Sequence, residues 1–305
     1  MAVPNYQGVT PPAIPLPIVS PPSPADNDGT YIAVWGPKSS GKTMYLTMLR
    51  DDIRIWHYKK GWQMDLDKKA GDKIKNDTLA FLEARANSIG QHRYPPNTGT
   101  SDPLEYRFRF EKSASPTDPM GHKEFIMHVL DMPGEWFQDP PVEAKEKVYG
   151  YLEKCFGILC LIDPDVEDQE VKKYIDKMLD NLSARTITQR IEKWIAFCVT
   201  KIDKLQHRSI ARDTQKYVLS KIGNAKNAID SQCNTAKVNY NFHCSAVGYY
   251  QTPEGDFMPL RSNSGLNWEG VNIIYNVDHI RPFGLFAPIE WMFEEWSREQ
   301  AFNRP

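Results

Sequence analysis

The chain has 305 residues, 25% charged and 41% hydrophobic, enough to bury a sizeable core in one large domain or two small ones. Lys plus Arg count 37 against Asp plus Glu 39, a net charge of -2, which argues against a generally basic nucleic-acid binder and against an acidic disordered chain. No apolar run approaches a membrane span, residues 1–30 lack the basic start and apolar core of a signal peptide, and five cysteines without a CxxC pair argue against a disulfide framework or zinc knuckle. A cytoplasmic location is expected.

Eight of the 23 prolines fall in the first 30 residues. So much proline removes the donors that a helix or sheet needs, so residues 1–30 are expected to form an extended, disordered tail or a docking peptide for a partner. Folding is expected to start near Tyr31, with one domain over 31–305.

Tyr31 to Trp35 reads as a short buried strand. A helix follows, with Tyr45, Met48, Leu49 and Trp56 on one face. Roughly 45 residues then separate Ile55 from the next strand, far more than an ordinary connection needs. Within them Ile74, Leu79, Leu82, Ala86 and Ile89 fall near one helical face, which predicts a helical insertion over about 55–95. Leu104 to Phe110 alternates as a half-buried strand does. Phe125–Leu130, Phe156–Ile162, Trp194–Val199 and Val238–Phe242 are further expected strands. Helical stripes appear in Val171 to Leu182, in Tyr217 to Ile229 and around Ile289 to Trp296. The stretch from about 249 to 284 reads as an irregular insertion. Strands alternating with helices predict an α/β fold with a mostly parallel central sheet, covered on both faces.

Gly36, Lys38, Ser39, Ser40, Gly41, Lys42 and Thr43 lie in the string G-P-K-S-S-G-K-T, which matches G-x-x-x-x-G-K-[ST] between a strand and a helix. Glycines let such a loop wrap phosphates, so that backbone N–H groups and the helix N-terminus face anionic oxygens. Lys42 would reach the β- and γ-phosphates, and Thr43 would give its hydroxyl to Mg2+. Asp131-Met-Pro-Gly134 ends another strand. Asp131 there can hold Mg2+ through water, and the Gly134 N–H can sense the γ-phosphate. Thr200, Lys201 and Asp203 lie in T-K-I-D after a buried strand. The Asp203 carboxylate can accept from the N1–H and N2–H2 edge of guanine, a donor pair that adenine lacks. Lys201 would lie along the base, and a backbone N–H at Ser245 or Ala246 would meet guanine O6. Each motif follows a strand, where the ligands of a doubly wound sheet collect.

In this order the motifs resemble the translation-factor and Ras-like class of P-loop GTPases, over about residues 31–248 plus a terminal helix at 286–300. Tyr31–Thr43, Asp131 to Glu135 and the L-I-D-P run at Leu161–Pro164 look most like the bacterial double-GTPase families, which are typically encoded in multi-gene systems. The resemblance implies a three-layer fold, GTP or GDP with Mg2+ as ligands, and a switch I threonine that binds Mg2+ and the γ-phosphate. Thr98 is the first choice for it and Thr100 the second. Three positions depart from the pattern. Glu135 stands where Ras-like proteins carry a water-orienting Gln. Lys38 replaces a glycine that leaves room for an incoming arginine, and Ser39 replaces the Asn of cation-dependent GTPases. By analogy with heterotrimeric G-protein α-subunits, Arg93 after the insertion is a candidate arginine supplied in cis. Trp136 and Phe137 are candidate effector contacts. The expected function is a GTP-hydrolysing molecular switch. The alternatives are a GTP-binding scaffold with little hydrolysis and a P-loop ATPase or kinase.

Overall fold

The computed structural model describes residues 30–37, 39–67, 70–90, 104–114, 123–131, 136, 142–183, 190–251, 257–259 and 280–302. In chain order the first half carries β1 (Thr30–Trp35), α1 (Lys42–Asp52), β2 (Trp62–Leu66), α2 (Asp72–Gly90), β3 (Leu104–Lys112) and β4 (Lys123–Asp131). Then come α3 (Val142–Lys154), β5 (Gly157–Ile162), α4 (Asp168–Ser183), β6 (Trp194–Val199), α5 (Thr214–Ile222) and α6 (Ala225–Gln232). The chain continues through β7 (Val238–His243), β8 (Tyr249–Gln251), β9 (Phe257–Pro259) and α7 (Ala287–Phe302).

Seven strands form one sheet in the order β2-β3-β4-β1-β5-β6-β7. β4, β1, β5, β6 and β7 run parallel, so their carboxyl ends share one edge. β3 is antiparallel to β4, and β2 is antiparallel to β3. β8 and β9 form a separate antiparallel pair. This is the α/β architecture that the alternating pattern predicts. The inner strands β5 and β6 are buried along their whole length, as their unbroken apolar sequences require when helices cover both faces.

The period of two along β1 divides the core. Ile32 and Val34 face a layer built with Tyr45, Phe108, Phe110, Phe286 and Phe293. Ala33 and Trp35 face the opposite layer, with Val148, Tyr174, Met178, Val218 and Ile229. α1 and α7 thus cover one face, and α3 to α6 the other. All five cysteines are buried and free. No helix among the described residues is long and apolar enough to cross a membrane.

Two side chains from the second layer tie the central strands. The Tyr151 hydroxyl donates to Ile32 O at 2.7 Å and accepts from Leu130 N at 2.9 Å. It therefore bridges β1 and β4 just past their ladder pairs, Thr30 with Met127 and Tyr31 with His128. Trp35 Nε1 donates to Tyr174 O at 2.9 Å, and the Tyr174 hydroxyl donates to Leu161 O at 3.1 Å.

Every expected strand is present, but several details differ. α1 runs on into a π-turn (Ile53–His57), which turns Trp56 out of the Tyr45–Met48–Leu49 face and leaves it 53% exposed. The stretch read as a helical insertion also contributes β2, an edge strand. α2 packs through Thr78, Phe81 and Leu82, while Leu79 is exposed. Thr78 Oγ1 accepts from Arg107 N at 3.2 Å, and Phe81 lies 4.4 Å from Tyr106, ring to ring. The stripe from Tyr217 to Ile229 is two helices, broken at Gly223 and Asn224. α3, β8 and β9 were not expected.

Asp52, at the end of α1, is fully buried and accepts from Phe286 N at 2.8 Å. Burial raises its carboxyl to about 6 from 3.8, against the lowering effect of N–H donors from Phe286, Leu285 and Gly284. A raised value stabilises the fold below the unfolded value, and that contribution is lost as pH climbs through about 6. Asp52→Asn removes the titration but keeps an acceptor. The stability of the unaltered chain relative to this variant should fall between pH 4 and pH 7 by up to about 3 kcal/mol. Urea unfolding of both at several pH values measures it. A difference that stays constant with pH contradicts the argument.

Candidate functional site

The loop after β1 is shaped by close packing. A Cβ on Gly36 would sit 2.7 Å from Ser40 Oγ and 3.2 Å from Leu161 O, so any larger residue would push the Ser40 side chain and crowd β5. Ser39 then turns into the left-handed region at φ 64°, and Gly41 at φ 90° opens α1. Ser40 N donates to Pro37 O at 3.2 Å, and Tyr45 N donates to Gly41 O at 2.7 Å. No acidic residue occupies the first turn of α1, so the partial positive charge of that helix end is left for an anion. Lys42 is almost wholly buried. Its Nζ donates to Gly36 O at 2.8 Å and to Pro37 O at 2.9 Å, which lays the ammonium across its own loop. Thr43 is partly buried in the same first turn.

Asp131 is buried at the carboxyl end of β4, the parallel neighbour of β1. Thr43 and Asp131 are a hydroxyl and a carboxylate brought to one edge. That donor set suits a small hard cation that takes its other ligands from water and phosphate. Among the described residues, no cluster of three His, Cys, Asp or Glu side chains forms a metal cage.

The T-K-I-D turn follows β6 on the same edge. Thr200 Oγ1 donates to Ser40 O at 3.1 Å, with Ile162 O at 3.3 Å. This bond joins the turn to the glycine-rich loop. Lys201 is left-handed at φ 57°, and its Nζ is bonded to the carboxylate of Asp163. Among the described residues Ser39 and Lys201 are the only non-glycine positions with positive φ. Both lie on this edge, where strained backbone tends to mark ligand sites.

Asp203 is fully buried. Its Oδ1 accepts from Ser245 Oγ at 2.6 Å. Ser245 Oγ itself accepts from Val247 N at 3.3 Å and Gly248 N at 2.8 Å. The hydroxyl therefore shapes the loop after β7 and orients the carboxylate together. Ala246 is partly buried beside it.

The structure thus brings Gly36, Ser39, Ser40, Gly41, Lys42, Thr43, Asp131, Thr200, Lys201, Asp203, Ser245 and Ala246 to one sheet edge. Lys38, Arg93, Thr98, Thr100, Gly134, Glu135 and Phe137 lie outside the described residues. Trp136 is partly buried and packs against the second core layer.

Two residues on this edge carried no assigned role in the sequence. Asp163 is buried, binds Lys201, and accepts from Asp165 N at 3.0 Å. The signal for it was its place directly after the fully buried β5. Asp165 binds Lys204 and meets His207 Nε2 at 2.8 Å. Burial opposes its ionisation, but the Lys204 and His207 bonds outweigh burial and hold its carboxyl down to about 2. These pairs fasten the loop after β5 to the turn after β6.

Neither a protein-family model nor a curated protein matches the chain. Among solved structures it is similar to one described as the signal recognition particle receptor SRb-GTP/SRX complex from Chaetomium thermophilum. The identity is 12% and the TM-score 0.40, over 72% of this chain and 92% of that one. It is similar to the S. cerevisiae Ski7 GTPase-like domain bound to GTP at 17% identity and TM-score 0.40, over 90% of this chain and 50% of that one. An S. thermophilus NFeoB mutant bound to GDP matches at 13% identity and TM-score 0.29, over 70% of this chain and 65% of that one.

Ser245→Ala removes one bond to Asp203 and the acceptor of two buried N–H groups. It should lower unfolding free energy by about 2 kcal/mol, the usual cost of breaking such a buried network. Denaturant unfolding reads this directly, and a loss below about 0.5 kcal/mol would mean the loop is held by its other contacts.

Proposed function

We propose that the chain binds guanine nucleotides and hydrolyses GTP to GDP and phosphate, acting as a molecular switch. The observation that carries this reading is the Thr200–Ser40 bond. It fixes a glycine-rich anion loop and a buried, oriented carboxylate at one edge of one sheet. Asp203 accepts from the guanine N1–H and N2–H2 groups. Lys201, held by Asp163, lines the base with its aliphatic stem. Lys42 leaves the Gly36 and Pro37 carbonyls for the β- and γ-phosphates, and loop N–H groups take the remaining oxygens. Thr43, and Asp131 through water, would hold Mg2+, which offsets phosphate charge when bound. Thr98 and Gly134 are assigned to the γ-phosphate, and Glu135 to the attacking water. Loss of the γ-phosphate releases both contacts and relaxes the switch. Trp136 and Phe137, or the proline-rich tail, are the proposed effector surfaces. The resemblance to bacterial double-GTPase families supports a place in a multi-protein system.

A second reading, a GTP-holding scaffold with slow turnover, is favoured by Glu135. A carboxylate beside a γ-phosphate repels it and stands where a neutral glutamine would orient water.

Asp203→Asn should weaken GTP binding about a hundredfold and leave ATP binding nearly unchanged, because one acceptor facing a donor pair is replaced by an amide. Lys42→Ala should abolish binding of both. Calorimetric titration with GTP and ATP checks the pair, and equal affinity for both in the unaltered chain would point to a P-loop ATPase or kinase. Phosphate release with and without a magnesium chelator separates the enzyme from the scaffold. GTP retained through purification marks the scaffold, and GDP marks the enzyme.

A further inference from the structure

The segment Ile280–Phe286 lies between the irregular region and α7, and no ligand motif falls in it. Its contacts are nevertheless specific on both sides. On one side it pairs with the loop that carries Ser245. Ser245 N donates to Phe283 O at 3.0 Å, Phe283 N donates back to Ser245 O at 3.0 Å, and Arg281 N donates to Val247 O at 2.9 Å. The approach is close enough to dictate residue type. Gly284 is left-handed at φ 73°, and a Cβ there would lie 2.3 Å from His243 O. No side chain fits between these two backbones.

On the other side the segment is held by α1 and its continuation. Phe286 N donates to Asp52 Oδ2 at 2.8 Å. The Tyr45 hydroxyl donates to Leu285 O. Trp56 Nε1 donates to Pro282 O at 2.6 Å. Three consecutive parts of one helical run thus grip three neighbouring backbone groups. The same helix starts at Lys42, and Asp52 lies about 15 Å along its axis.

We infer that Ile280–Phe286 is a brace that transmits the position of α1 to the loop around Ser245, with Asp52 as a positioning residue for guanine selectivity. The inference rests on the reading of Asp203 and Ser245 as the base-recognition pair. Asp52 touches no nucleotide. It sets where Phe286 and Gly284 lie, these set where Phe283 lies, and the reciprocal Phe283–Ser245 bonds set Ser245 Oγ against Asp203. The phosphate loop occupies the opposite end of α1 and has its own bonds to Pro37, Gly36 and Gly41. Loosening the brace should therefore change how the base is read more than how the phosphates are held. A carboxylate buried among Tyr45 and Phe286 is expensive to keep, and an apolar residue of similar size would pack there at lower cost. Its retention here is accounted for by an acceptor that must meet Phe286 N.

The test uses the full chain titrated with fluorescent N-methylanthraniloyl GTP and N-methylanthraniloyl ATP. Asp52→Ala should lower the GTP-over-ATP affinity ratio about tenfold, the effect of one well-placed hydrogen bond, with ATP affinity changed little. Asp52→Asn keeps the acceptor and should keep the ratio. Trp56→Phe removes one donor from an exposed side chain that puts the core at no risk, and should lower the ratio about threefold. A folded Asp52→Ala protein with an unchanged ratio, or one that loses both nucleotides equally, overturns the brace. If Asp52→Ala does not fold, Tyr45→Phe combined with Trp56→Phe decides, and an unchanged ratio there overturns it as well. Equal binding of both nucleotides by the unaltered chain is a separate outcome. It overturns the base-recognition reading itself and the brace with it.

Discussion

The arrangement of the molecule depends on β1 being flanked on both sides by parallel strands. β1 pairs with β5 along Ile32 to Trp35 but with β4 only at Thr30 and Tyr31. Past that point the Tyr151 hydroxyl takes the ladder's place, bonding Ile32 O and Leu130 N. The strands can then separate at their carboxyl ends without leaving buried backbone groups unsatisfied. Because β5, β6 and β7 are parallel as well, every later loop emerges at the same edge, and distant sequence segments become neighbours there.

Buried polar bonds then fix those loops relative to one another. Thr200 bonds Ser40 across 160 residues, and Phe286 bonds Asp52 across 234. Apolar packing alone would leave such loops free to slide, because it is not directional. Hydrogen bonds in a low-dielectric interior are directional and costly to break singly. Asp52 makes the trade explicit: its ionisation is opposed by burial, yet its oxygen meets a backbone donor that no apolar side chain could serve.

Much of this was legible in the sequence, and the failures have physical causes. Strands were read correctly where apolar runs were bounded by glycine or charge, as in Tyr31–Trp35 and Trp194–Val199. The gathering of the motifs at one sheet edge was legible because each motif follows a strand. β2 carries a real alternation, Trp62, Met64 and Leu66 against Gln63 and Asp65, but it is short and sits inside a helical stretch. Trp56 was misplaced because periodicity assumes 3.6 residues per turn, and a π-turn breaks that phase. The Tyr217–Ile229 stripe kept helical spacing across a break, since Gly223 and Asn224 interrupt the helix over only two residues. The contacts of Ile280–Phe286 left no pattern, because that segment contributes backbone atoms to them and the close approach constrains only Gly284.

The chain is close to neutral overall, so attraction for a polyanion has to arise locally. Three local sources converge at the start of α1: the helix N-terminus, the loop N–H groups, and an ammonium held by the Gly36 and Pro37 carbonyls. Lys201 is treated differently. It is tied to a buried carboxylate, Asp163, which fixes its stem and neutralises its charge. The two lysines of the edge therefore differ in the partners that hold them. Lys42 is folded back onto carbonyls of its own loop, and Lys201 is tied across to a carboxylate of the loop after β5.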